Sequence, residues 1–327
     1  MNAKAGMSRL LFALIASALP LLLQAQQPWP SRTVRIIATS PPGGSVDFLA
    51  RSLAEDFSKS FGEAFVVETR PGANGNIGVE LVVKAPPDGH MLFVAPPGPF
   101  SINAHLMSSM PFDPAADVAP VAMLGVAPLL LVVHPSVPAK NLRELLAWLR
   151  GEGADAHYAS QAVASTGHLA MELLKSLAGV QAAHVPYKGS AAQATNDLLA
   201  GRVAMSFVNT STTLQYLRDG RLRAIAVAEL KRIAAAPEVP TVAESGLPGF
   251  EATPWLGLGA RAGTARDIVY RLNDRASRAL AHPEVARRAA NLGIEARPME
   301  PDEFAEFVRA ENGKWADIIR RSGAKVE

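Results

Sequence analysis

Short apolar runs alternate with amphipathic helical stretches along most of this chain, joined by corners rich in glycine, serine and asparagine. The clearest case runs from Val34 to Thr39, turns at Pro41-Pro42-Gly43-Gly44-Ser45 and continues as a helix from Val46. In that helix Val46, Leu49, Leu53 and Phe57 fall at three- and four-residue spacing, a stripe that packs on a sheet. The same alternation returns at the candidate strands Ala64–Glu68, Met91–Ala95, His157–Ser160, Ala183–Pro186, Val203–Val208, Ala224–Val227 and Trp255–Gly259. It predicts α/β architecture with mostly parallel sheets.

The N-terminus reads as an export leader, residues 1–25. Lys4 and Arg9 form a positive segment, Leu10 to Leu23 an apolar core, and Leu23-Gln24-Ala25 a small-residue cleavage site. That core is shorter than the roughly 20 residues a membrane-spanning helix needs. Without Lys4 and Arg9 the 32 basic residues become 30, matching the 30 acidic ones. A balanced chain has no global attraction for nucleic acid or an anionic membrane. The absence of cysteine excludes disulfides, thiolate metal sites and cysteine nucleophiles. A mature chain of about 300 residues must then rely on its core, and at that size it usually splits into two domains. A freely diffusing periplasmic protein fits these bounds.

The stretch Val118–His134 is apolar and carries Pro120 and Pro128, which argues against one uninterrupted strand, because proline cannot donate to a ladder. It reads as a connection between domains, and a second extended stretch near Phe250–Ala260 carries the chain back. Two crossings make the first domain discontinuous, 26–127 plus 252–327, around a second domain, 128–251. Two consecutive, independent domains are the alternative.

Six candidate strands end in corners of similar chemistry. These are Gly43-Gly44-Ser45-Val46-Asp47, Gly72-Ala73-Asn74-Gly75-Asn76, Pro96-Pro97-Gly98, Ser160 through Ser165-Thr166-Gly167-His168, Tyr187-Lys188-Gly189-Ser190, and Asn209-Thr210-Ser211-Thr212. Glycine lets backbone N–H groups approach a bound group, and a helix start presents unpaired donors with partial positive charge. Such corners suit an anion, and in open α/β sheets they gather outside the carboxyl ends of the strands. Asp47, in a first helical turn, favours the helix dipole; an anion bound beside it requires the carboxylate to turn aside. Other chemistries lack their signatures: no dinucleotide fingerprint, P-loop, G-x-S-x-G elbow or H-E-x-x-H occurs. His157, His168 and His184 have no partner at ligand spacing and read as packed or capping imidazoles. No metal, cofactor or catalytic residue is expected.

From Trp29 to the C-terminus the chain resembles the Bug-type receptors of tripartite tricarboxylate transporters. The resemblance rests on Pro28-Trp29-Pro30-Ser31-Arg32, Pro41-Pro42-Gly43-Gly44-Ser45-Val46-Asp47, Arg70-Pro71-Gly72-Ala73-Asn74-Gly75-Asn76, Pro111-Phe112-Asp113-Pro114 and His184-Val185-Pro186-Tyr187-Lys188-Gly189. It implies a two-lobed periplasmic binding protein of the type II, Venus-flytrap kind, closing on a small di- or tricarboxylate between its sheets. It also implies membrane permease subunits as partners and a monomer in solution. The positions that inherit ligand contacts are Gly43, Gly44, Ser45, Asp47, Asn74 and Asn76 in one lobe. In the other they are Ser160, Ser165, Thr166, Gly167, Tyr187, Lys188, Gly189 and Asn209. Family members often carry an acid where Val208 stands, so a plain organic acid is favoured over an amino acid. Acidic amino acids, aromatic acids and a role as ligand sensor for a membrane kinase remain alternatives, as does a hydrolase or lyase using the same cleft.

Overall fold

The computed structural model describes residues 29–187 and 191–322. The leader 1–25 and the candidate ligand positions Lys188 and Gly189 lie outside the described residues. The described residues form two five-stranded sheets. The first has the order β2 (Phe65–Thr69), β1 (Val34–Ala38), β3 (Met91–Ala95), β10 (Trp255–Arg261), β4 (Val118–Val126). The second runs β7 (Ala183–Pro186), β6 (His157–Ser160), β8 (Met205–Asn209), β5 (Leu129–Val133), β9 (Arg223–Val227).

Both sheets are mixed rather than mostly parallel. β1 is parallel to β2 and β3, and β6 to β7 and β8. β10 runs antiparallel to β3 and β4, and β5 to β8 and β9. Parallel neighbours arise where a helix crosses between strands; β5 and β10 instead enter directly from the other sheet, which leaves them free to run the opposite way. The proline-bearing stretch resolves into β4, a break at Pro128, and β5. Pro120 is accommodated because β4 is an edge strand, and it faces Gly259 at a register irregularity.

Strand residues alternate between two apolar layers, as a doubly covered sheet requires. Val34, Ile36 and Ala38 face α1 (Ser45–Phe61), while Ile37 and Phe93 face the layer containing α2 (Asn76–Val83). The stripe on α1 is seated as its spacing predicts, with Leu49, Leu53 and Phe57 fully buried. Gly62, at φ +79°, ends that helix in a left-handed turn suited to glycine. In chain order the remaining helices are α3 (Asn103–Leu106), α4 (Pro114–Asp117), α5 (Leu142–Arg150), α6 (Thr166–Ala178), α7 (Ala191–Leu199), α8 (Thr210–Arg218), α9 (Arg266–Ala281), α10 (Pro283–Asn291) and α11 (Pro301–Ser322).

The last helix belongs to both halves. Phe304 and Val308 pack in the core beneath the first sheet, while Trp315, Ile318 and Ile319 pack in the core of the second. Midway, the buried Glu311 carboxylate accepts from the indole N–H of Trp255 on β10 at 3.0 Å and of Trp315 at 2.9 Å. It also pairs with Lys314. Among the described residues no helix is long and apolar enough to cross a membrane.

Candidate functional site

A cavity of about 150 Å³ lies between the two sheets, lined from both sides. Ser45, Pro96, Trp255 and Leu256 reach it from the first sheet, and Ala127 and Pro254 from the crossing segments. The second sheet and its helices supply Gln161, Ser165, Thr166, Gly167, Ala191, Thr195, Ser206, Phe207, Val208, Asn209 and Thr212, among others.

Four helices begin on this cavity: α1 at Ser45, α6 at Thr166 and Gly167, α7 at Ala191, and α8 at Asn209, its N-cap. Each helix start leaves its first N–H groups without intrahelical partners, and the aligned peptide dipoles add partial positive charge there. No formally charged side chain lines the cavity among the described residues. It is therefore positive by dipoles and neutral by side chains, an arrangement suited to carboxylate oxygens.

The start of α6 is the most tightly built. Ser165 caps it, its Oγ accepting from the His168 N–H at 3.3 Å and donating to the Ala162 carbonyl at 2.8 Å. Gly167 lies so close to β8 that an added Cβ would sit 2.8 Å from the Phe207 carbonyl oxygen. Behind this turn two imidazoles stack, His168 on His184, at 4.0 Å between ring centroids, with the Tyr158 ring 4.9 Å beyond His184. His168 Nδ1 accepts from the Ala164 N–H at 3.1 Å, which requires the ring to be bare at that nitrogen. Ser160 donates its single proton to the Ala162 carbonyl at 2.8 Å, so its Oγ accepts from His184 Nε2 at 2.6 Å. Ser160 is 1 % exposed and braces the loop from behind.

Burial lowers the pKa of both rings, that of His184 to about 4, with the neighbouring His168 adding to the effect. On His168 the nearby Glu172 opposes the shift and Lys175 favours it. Both folded values thus lie below the ordinary 6.5, so the unfolded chain binds more protons between about pH 6.5 and pH 4. The stabilisation is complete above pH 6.5 and is lost as pH falls through that window. The partial exposure of His184 discounts its full shift, leaving on the order of 2 kcal/mol from that ring between neutral pH and about pH 4. Urea titrations at the two pH values measure it, and a His184→Phe variant should flatten the dependence.

Other positions expected from sequence lie elsewhere. Gly43 takes φ +85° and donates its N–H to Asp47 Oδ2 at 3.1 Å. Asp47 has turned aside onto Arg51, whose Nε donates to it at 3.0 Å; that hydrogen bond holds its carboxyl below the usual range against the effect of burial. Gly43 and Asp47 line a separate groove with Phe48, Arg51 and Arg288. Gly44 is the N-cap of α1, exposed and in extended backbone. Asn76 is 2 % exposed and tied to Asn103, whose Nδ2 donates to Asn76 Oδ1 at 2.6 Å and to the Asn74 carbonyl at 3.2 Å. Asn74 Nδ2 donates in turn to Asn103 Oδ1 at 2.6 Å. This asparagine knot joins two corners of the first half. Tyr187 donates to Asp197 Oδ2 at 2.7 Å, and burial is the main reason its hydroxyl pKa is pushed up to about 12. Thus Ser45, Ser165, Thr166, Gly167 and Asn209 share the cavity, while Gly43, Gly44, Asp47, Asn74, Asn76, Ser160 and Tyr187 do not line it. Sequence reasoning missed the apolar walls, Trp255, Leu256 and Phe207, whose composition carries no chemical signature. Among the described residues no group of three histidine or acidic side chains is placed to hold a metal ion.

Two sheets of mixed strands flanked by helices, with a dipole-lined cavity between them, define a two-lobed α/β solute-binding protein. Residues 49–324 match the family described as tripartite tricarboxylate transporter family receptor, and the chain belongs to that family. It is a family of solute-binding receptors and not of enzymes. BugT of Bordetella pertussis is 36% identical over 300 residues, which cover 91% of this chain and 92% of BugT. A structure of R. palustris Rpa4515 with adipate is similar at TM-score 0.78 and 34% identity, over 91% of this chain and 100% of that one. MatC from Rhodopseudomonas palustris with bound malate is similar at TM-score 0.75 and 32% identity, over 89% of this chain and 100% of MatC.

Proposed function

We propose that this receptor works in the periplasm, where it captures a small di- or tricarboxylate in the cavity between its lobes and carries it to membrane permease subunits. The observation that carries this reading is the meeting of four helix N-termini from both lobes on one cavity whose described lining holds no charged side chain. Backbone N–H groups, the hydroxyls of Ser45 and Thr166, and ordered water would hold the carboxylate oxygens. Each charge-assisted hydrogen bond contributes about 1.5–3 kcal/mol. Adipate and malate in the two similar structures support the ligand class. The leader-like N-terminus and membership of a transporter-receptor family support the address and the permease partner.

The lobes are read as 26–127 with 252–327, and 128–251; β10 lying between β3 and β4 supports this division, and α11 spans it. Contacts from both lobes coexist only when the cavity is closed, so ligand shifts the population toward the closed form by its differential affinity. Native mass spectrometry of gently purified protein, followed by a thermal-shift panel of organic acids, tests the reading. An acid at about 100 times its Kd should stabilise the fold by about 2.7 kcal/mol. A panel in which no organic acid raises the melting temperature would overturn it.

A further inference from the structure

Most hydroxyls around the cavity have already spent their protons. Ser165 donates to the Ala162 carbonyl at 2.8 Å, Thr195 to Ala191 at 2.9 Å, Ser206 to Ala159 at 2.8 Å, and Thr212 to Asn209 at 2.9 Å. The Trp255 indole N–H is committed to Glu311. The side chains with donors to spare are Ser45 on one lobe and Gln161, Thr166 and Asn209 on the other, none with a protein partner among the described residues. The same cavity is also lined by apolar side chains, Ala127, Leu129, Phe207, Val208, Trp255 and Leu256. No described side chain there is a carboxylate, so a ligand ammonium would find no counter-charge.

We infer, resting on the carboxylate reading above, that the cavity selects acids whose body is unsubstituted hydrocarbon over hydroxy acids and amino acids of the same skeleton. A carboxylate is met by the free donors and helix starts of the lining. A hydroxyl or ammonium that comes against Val208 or Leu256 leaves water without gaining a donor or a described counter-charge there. Burying an unpaired polar group is costly, and an unpaired charge more so.

The test is isothermal titration of the full mature chain with matched sets: succinate, malate and aspartate; glutarate, 2-hydroxyglutarate and glutamate; benzoate and 4-hydroxybenzoate. The unsubstituted member of the set that binds should bind at least about tenfold more tightly than its hydroxy or amino counterpart. Equal or tighter binding of the substituted member overturns this inference and leaves the carboxylate reading standing. Binding of no acid at all overturns both. A Val208→Asp variant, checked for an intact thermal transition, supplies the missing counter-charge. It should narrow the gap between the amino acid and its parent acid by about tenfold. An unchanged gap in the folded variant also counts against the inference. Should that variant fail to fold, the matched sets on the natural chain decide.

Discussion

Gly167→Val is expected to weaken ligand binding severely while leaving most of the fold in place. The residue sits in the first turn of α6, where the helix start faces the cavity, and its Cα hydrogens lie against β8. An added Cβ would stand 2.8 Å from the Phe207 carbonyl oxygen, a distance that real Cβ atoms do not adopt. Backbone cannot yield there cheaply, because Phe207 is held in the ladder opposite Leu131. The start of α6 must therefore move, taking the Thr166 and Gly167 N–H groups out of line. Losing two charge-assisted hydrogen bonds costs about 3 kcal/mol, roughly a hundredfold in Kd. Titration calorimetry measures the loss, and far-UV circular dichroism checks the fold. Affinity within a few-fold of the natural chain would show that the N-terminus of α6 does not hold the ligand.

Glu311→Ala should produce the largest loss of stability. Its carboxylate is 4 % exposed and receives the indole N–H groups of both Trp255 and Trp315, themselves almost fully buried. Removal leaves two buried donors without an acceptor, at about 1–3 kcal/mol each, and strips Lys314 of its close partner. About 3–4 kcal/mol is expected, a fall of roughly 6–16 °C in Tm if each kcal/mol shifts it by 2–4 °C. Trp255 is also a wall of the cavity, so affinity should fall as the indole loosens. Glu311→Gln keeps one acceptor and should recover part of both losses. Differential scanning calorimetry on the three proteins orders them: natural, Gln, Ala. An alanine variant that melts with the natural chain would mean that the two indoles find other acceptors.

Local chemistry was readable in the chain, and long-range pairing was not. The stripe Val46, Leu49, Leu53 and Phe57 depends on helical spacing alone and is seated as that spacing requires. Ser165, Thr166 and Gly167 are equally local: a hydroxyl before a helix caps it, and helix starts carry donors wherever they are. What sequence could not say is which polar corner would be consumed by the protein itself. Asn74 and Asn76 satisfy their amides through Asn103, about 30 residues downstream by chain count. Gly43 gives its N–H to Asp47, four residues on. The direction of β5 and β10 was equally hidden, because it depends on the chain passing between sheets without a helix. Trp255 and Leu256 read as ordinary core residues, and only the crossing near Pro254 brings them to the cavity wall.

The final helix, seated in both cores, limits how the molecule can gape. Pulling the lobes fully apart would extract Trp315, Ile318 and Ile319 from one bed or Phe304 and Val308 from the other. Each buried side chain of this kind is worth about 1.5–3 kcal/mol, so the smaller extraction already costs several. What stays cheap is a small twist about a fixed strut, so cargo enters through breathing at one rim instead of a swinging jaw. A receptor built this way keeps almost the same outline whether loaded or empty, and the two states differ only at the rim.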